Sequence, residues 1–224
     1  MININILICS GHTLEGKGTG AVGYINESRE NRILSKKIVE YINKTNHKAA
    51  YAEVNKSDTY LKDQVDLANK GNYDLVVQVH FNANKTTLNL IGTETLYKSS
   101  KGKEYAQKVT NKLGLLYKQR GVKLRNDLYW LNNTKSPAIL IETCFVDSKA
   151  DTDIYISNKN YTARLIAEAL TDQIINDKSK DEYIILNDKL YKVCIGAYKD
   201  KDNADKILKK AKEKGFKDSY IIYQ

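Results

Sequence analysis

Short apolar runs alternate along this chain with segments of helical spacing, and that order leaves few architectures open. Ile2-Asn3-Ile4-Asn5-Ile6-Leu7-Ile8 alternates and then runs apolar, the pattern of a strand. After a Gly-rich stretch from Gly11 to Gly23, Ser28 to Asn43 carries Ile33, Leu34, Ile38, Val39 and Ile42 at helical spacing. Ala49 to Val54 reads as a short strand. Ser57 is the expected N-cap of a helix carrying Leu61, Val65 and Ala68 and ending near Gly71. Leu75-Val76-Val77-Gln78-Val79 is a buried-strand run, and Gly92 to Tyr97 suggests another. A polar helix from Lys103 to Lys118 comes before Gly121. Ala138-Ile139-Leu140-Ile141 follows the sole proline, Pro137, and a helix spans Asn160 to Ile175. Strands alternating with helices predict an α/β fold: an open, mostly parallel twisted sheet with helices on both faces.

Composition shifts at Asn176-Asp177-Lys178-Ser179-Lys180-Asp181, a charged stretch with no apolar residue. We read 1–175 as one domain, 176–182 as a linker and 183–224 as a small α+β (β-α-β) C-terminal domain. In the last, Tyr191 to Ile195 and Ser219 to Tyr223 read as strands around a helix from Asn203 to Lys214. About 40 residues make a marginal core, so this piece is expected to lean on a neighbour.

Two of the three histidines stand at strand ends. His12 follows the first strand in Ser10-Gly11-His12, and His80 ends the run Leu75 to Val79. Ligands in open α/β sheets bind beyond the carboxyl ends of strands, so two imidazoles there can share a metal. A catalytic zinc takes three protein ligands and keeps a position for water. Glu27 fits as the third donor; it also suits the positive end of a helix, which is a purely structural reason for it. Glu142 closes the run Ala138 to Ile141. A carboxylate there is either the acid/base group of a reaction or an ion pair with a residue such as Arg125. His47, after a polar helix end, reads as a surface histidine. Gly18-Thr19-Gly20-Ala21-Val22-Gly23 matches a dinucleotide fingerprint but does not directly follow the first strand, and a loop close to a metal explains its glycines better.

Ser10-Gly11-His12, Gly18-Thr19-Gly20-Ala21, Glu27, Val79-His80-Phe81-Asn82-Ala83 and Pro137 through Phe145 occur in the order of the zinc N-acetylmuramoyl-L-alanine amidases of the Amidase_3 type. The resemblance covers about residues 1–175. It implies one Zn2+ held by His12, Glu27 and His80, with Glu142 as the catalytic glutamate. It also implies hydrolysis of the amide between N-acetylmuramic acid and L-alanine in peptidoglycan. Two positions depart: Gln64 stands where the family often has arginine, and Cys144 where it usually has glycine. Tyr191 to Ile222 resembles half of a SPOR-type peptidoglycan-binding module, which suggests a homodimer through paired C-terminal halves.

The competing readings are a zinc peptidase cutting the stem peptide and a non-catalytic wall-binding protein. Thirty-six basic against twenty-seven acidic residues give +9. The cations are spread and mostly Lys, without the Arg and aromatic stripe of a nucleic-acid binder, so no specific nucleic acid is expected. Cys9, Cys144 and Cys194 form no CxxC pair and read as buried hydrophobes in a reducing compartment. No apolar run is long enough for a membrane span. The N-terminus lacks the pattern of a signal peptide, so the expectation is a protein made in the cytoplasm that meets the wall after lysis or holin-type release, as a phage endolysin or a sporulation autolysin would.

Overall fold

In the computed structural model, residues 3–176 and 199–216 are described. The chain divides into two compact units, Met1–Leu186 and Asn187–Gln224.

The first unit is built on a six-stranded sheet in the order β2-β1-β3-β6-β4-β5. Its strands are β1 (Asn5–Ser10), β2 (Lys48–Ala52), β3 (Leu75–Asn82), β4 (Thr93–Tyr97), β5 (Gln119–Leu124) and β6 (Ala138–Phe145). All neighbouring pairs are parallel except β4 against β6. The carboxyl ends of β1, β3 and β6 and the amino end of β4 therefore share one rim of the sheet.

Both faces are covered, as the near-continuous apolar strands require. Ile6, Ile8, Val77, Val79, Ile139 and Ile141 point to one face and pack with α1 (Glu27–Ile42), α3 (Ser100–Leu113) and α6 (Lys159–Thr171). Leu7, Cys9, Val76, Leu96 and Leu140 point to the other. They meet α2 (Tyr60–Lys70) through Val65 and Ala68, and α4 (Tyr129–Asn133) through Trp130 and Leu131. The Trp130 indole donates to the Ile139 carbonyl at 3.2 Å, which satisfies its polar edge inside the core. Helix α5 (Lys149–Ser157) follows β6, and its Asp151 carboxylate accepts from the amides of Ile91, Gly92 and Phe145.

Several local expectations are corrected. Thr59, not Ser57, precedes α2; the Ser57 hydroxyl instead bonds the Asp63 carboxylate and accepts from the Thr59 amide. The α3 helix ends at Leu113 rather than at Lys118, and α6 ends at Thr171 because Asp172 turns left-handed (φ 53°). His47 is buried: its Nδ1 accepts from the Ile4 amide at 3.2 Å, tying the start of the sheet to the end of α1. Cys9 and Cys144 are buried free thiols, and burial pushes Cys9 up to about 12.

From the second unit the structure describes α7 (Lys201–Glu213), N-capped by the Asp200 carboxylate on the amides of Asp202 and Asn203. The expected linker beyond Asn176, the strands Tyr191 to Ile195 and Ser219 to Tyr223, and Cys194 lie outside the described residues. No helix among the described residues is long and apolar enough to cross a membrane.

Candidate active site

The rim of the sheet gathers the four residues singled out from sequence. His12 lies two residues past β1, on a backbone with φ 59°, a region that costs a non-glycine residue energy and persists where surrounding bonds fix it. Those bonds are visible. Arg32, buried on α1, donates to the carbonyls of Gly11, His12, Ser28 and Val54. Gln64, buried on α2, donates to the carbonyls of Ser10 and His12 and accepts from Gln78. Gln64 and Arg32 thus both hold the backbone of the His12 loop.

Glu27 is the first residue of α1, capped by Asn26, whose side chain accepts from the Arg29 amide at 3.0 Å. The helix end suits its charge, and it is buried. Its Oε2 accepts from the Ala21 amide (2.9 Å) and its Oε1 from the Phe81 amide (3.1 Å). The same Oε1 is 3.2 Å from His12 Nε2 and 3.0 Å from His80 Nδ1. The glycines let these groups close up. A Cβ on Gly11 would overlap the His80 imidazole, and one on Gly20 would fall 2.8 Å from Glu27 Oε2.

The donor set suits a metal ion. His12 Nδ1 is 2.9 Å from the Gly18 carbonyl, which can only accept, so Nδ1 carries the proton. In the neutral ring Nε2 then turns a lone pair toward a carboxylate oxygen, a repulsive contact unless a proton or a cation lies between them. The two short distances also approach the edge of a tetrahedron with zinc–ligand bonds of 2.0–2.1 Å, about 3.3 Å. Among the described residues, His12, Glu27 and His80 are the one cluster able to hold an ion. Charge follows the same geometry. Against the effect of burial, the two imidazoles hold Glu27 far below the usual carboxylate range. Burial lowers His12, but the Glu27 hydrogen bond and charge outweigh it and raise the ring overall. For His80, burial wins and the ring is lowered.

Glu142 is the register partner of His80 on β6, so both side chains leave the same face of the sheet. The register shifts just beyond, between His80 and Asn82, a bulge of the kind found beside functional sites. Glu142 Oε2 is buried with no hydrogen-bond partner among the described residues. Burial drives this carboxyl well above its ordinary value; the charges of Glu27 and Glu94 add, and those of Arg125 and Lys123 oppose. The ion pair with Arg125 is absent: Arg125 grips Asp127 at 2.7 Å through two nitrogens.

One cluster escaped the sequence reading. Glu94 on β4 is opposite Glu142 in the antiparallel register and is buried. Its Oε1 accepts from Asn82 (3.2 Å), and its Oε2 from Arg120 Nε (2.7 Å) and Lys123 (2.5 Å), both on β5. A glutamate inside the strand pattern Thr93-Glu94-Thr95 was the available signal, since a charge in a buried strand needs a partner.

An open α/β sheet with a His/Glu/His donor set and a desolvated carboxylate at one rim defines the chain as an α/β protein with a candidate metal centre. The N-acetylmuramoyl-L-alanine amidase family model (Amidase_3) matches residues 6–176, and the chain belongs to that family. A SPOR-domain model matches residues 159–223, overlapping the first over 159–176, where α6 packs in the sheet unit. The chain is 34% identical to the catalytic domain of the CD27L endolysin, described as targeting Clostridia Difficile, covering 78% of this chain and 100% of that one with a TM-score of 0.72. It is 33% identical over 80% of its length to an uncharacterized protein of Clostridium perfringens, of which it covers 55%. It is 30% identical over 74% of its length to the sporulation-specific N-acetylmuramoyl-L-alanine amidase of Bacillus subtilis, of which it covers 64%. The chain thus spans about half to two thirds of the length of these curated relatives.

Proposed function

We propose that the protein hydrolyses the amide between N-acetylmuramic acid and L-alanine in peptidoglycan, with one Zn2+ held by His12, Glu27 and His80 and with Glu142 as the catalytic acid/base. The observation that carries this reading is the meeting of both imidazoles on one Glu27 oxygen beside the unpartnered Glu142 carboxyl. Family membership supports the bond; the donor chemistry supports the ion.

When bound, a zinc ion supplies Lewis acidity and a water whose pKa falls toward neutrality. The protein's own groups do the rest. Gly18 fixes the His12 tautomer through Nδ1, and the Ala21 and Phe81 amides fix the Glu27 carboxylate, so the donors are set before substrate arrives. Glu142 Oε2, held in a poorly solvated place, takes the proton of the attacking water and returns one to the departing alanine nitrogen.

In this reading residues 1–175 are the catalytic domain and 183–224 a SPOR-like wall-binding domain joined by the linker 176–182, with the SPOR match in support. Peptidoglycan is then the partner of both parts, and the wall the place of action. The described residues lend no support to the homodimer, which light scattering tests.

The deciding experiment measures metal content together with release of L-alanine amino groups from purified walls, before and after chelation. One equivalent of zinc, with release that chelation abolishes and zinc restores, is the expected result. Fresh amino groups from other stem residues would instead establish the peptidase, and a zinc-loaded protein that binds walls without cutting them would establish the binding protein.

A further inference from the structure

Arg120 and Lys123 share a single buried carboxylate, Glu94, so these three side chains together carry one more positive charge than negative. Their positions are fixed. Arg120 gives only Nε to Glu94, and its guanidinium lies 5.0 Å over the Phe145 ring. That combination locks the plane of the guanidinium. Neither terminal amino group of Arg120 has a hydrogen-bond partner among the described residues, and the side chain is 36% exposed. The result is a fork whose two terminal amino groups are unspent, the geometry that takes a carboxylate bidentately.

Its place relative to the reaction follows from the sheet. His80, Glu142 and Glu94 are register partners across β3, β6 and β4, and Lys123 follows on β5, paired with Leu96 on the same face as Glu94. From β6 to β5 is two strand spacings, roughly 10 Å. An extended peptide rises about 3.3 Å per residue, so a stem peptide cut beside Glu142 brings its second residue within reach of a long side chain on β5.

We infer that Arg120, positioned by Glu94 and assisted by Lys123, binds the free α-carboxylate of the γ-linked glutamate that follows L-alanine in the stem peptide. The inference rests on the amidase reading and adds a specificity to it: stems with a free carboxylate at this residue are preferred to stems in which it is amidated. Replacing the carboxylate by its amide removes the charge and one acceptor oxygen, so the fork loses its charge-assisted pairing.

The test compares two muramyl peptides that differ only in D-isoglutamate or D-isoglutamine at the second position. The expected kcat/KM ratio in favour of the carboxylate is on the order of tenfold or more for the wild type. In Arg120→Gln it falls toward one, and in Arg120→Lys, which keeps the charge and loses the fork, it takes an intermediate value. Calorimetry with L-alanyl-D-isoglutamate and its amide reads the same preference in binding, whether or not the protein cuts. Cleavage of both substrates at equal kcat/KM, or a ratio untouched by both Arg120 variants, overturns the inference and leaves the amidase reading standing. Cleavage of neither, with the binding preference intact, does the reverse.

Discussion

His12 and His80 offer different ring nitrogens, Nε2 and Nδ1, to the same oxygen of Glu27, at 3.2 and 3.0 Å. The rings lie nearly edge to face with centroids 4.7 Å apart. Each of the three donors comes from a different segment of the chain, so no pair of them forms a site alone. Substituting His80→Ala or Glu27→Ala should abolish stoichiometric zinc, at a cost greater than the roughly 10- to 100-fold typical of an outer-shell loss. Elemental analysis of the purified variants checks this, and near-full zinc in either variant would remove that residue from the ligand set.

Glu142→Gln separates chemistry from metal binding. The amide keeps the volume of the side chain but cannot accept the proton of water. We expect zinc content and thermal stability close to wild type, with kcat lower by about 10²- to 10⁴-fold. Stopped assays counting L-alanine amines measure it; activity within a few fold of wild type would show that another group moves the proton.

Glu94 predicts a pH effect on stability. Burial raises its pKa, but the hydrogen bonds and charges of Lys123 and Arg120 outweigh it, and the folded value lies below the ordinary 4.5. A group depressed in the folded state stabilises fully above its unfolded pKa and loses that contribution as pH falls through the folded value. The wild type should therefore be more stable than Glu94→Gln near neutrality, and the gap should close below about pH 4.5. Melting curves of both proteins from pH 7 to pH 3 give the comparison; a constant gap would mean that the carboxylate charge contributes nothing.

Gly11→Ala tests the close approach of backbone to ring. The new methyl group would occupy the space of the His80 imidazole, and overpacking of this kind costs about 1–3 kcal/mol. We expect a lower melting temperature and weaker zinc binding together, because the ring that must move is a donor. Unchanged zinc affinity in a destabilised variant would separate His80 from the ion.

The sheet was readable wherever strands were apolar. Leu75 to Val79 and Ala138 to Ile141 announced β3 and β6, although both strands run on to Asn82 and Phe145, where polar residues serve the site rather than the core. Strand β5 was not readable. Gln119-Arg120-Gly121-Val122-Lys123-Leu124 has no apolar run and no sustained alternation, since it lies at the sheet's edge and carries the two cations that hold Glu94. Helices α4 and α5 were missed as well: five residues are too few to show a period, and in the nine residues of α5 only Ile154 and Tyr155 enter the apolar core, beside Asp151, whose carboxylate bonds loop amides. His12, Glu27, His80 and Glu142 were legible because each stands where an apolar or periodic segment begins or ends. The support beneath them was not. Arg32 and Gln64 look like surface residues of amphipathic helices until the fold brings the loop carbonyls of residues 10–12 to them.

The reversed direction of β4 has a consequence for which charges meet beside Glu142. The backbone leaves the rim at Asn82 and returns to it at Thr93, with the loop between pinned by Asp151 on Ile91 and Gly92. Which β4 side chain faces Glu142 is a matter of strand register. A one-residue slip of β4 against β6 would turn a threonine toward Glu142 and send Glu94 to the opposite face of the sheet. Arg120 and Lys123 would lose their common anchor without any change in their own sequence. The antiparallel register of β4 on β6 thus decides whether a glutamate or a threonine stands beside the Glu142 carboxyl.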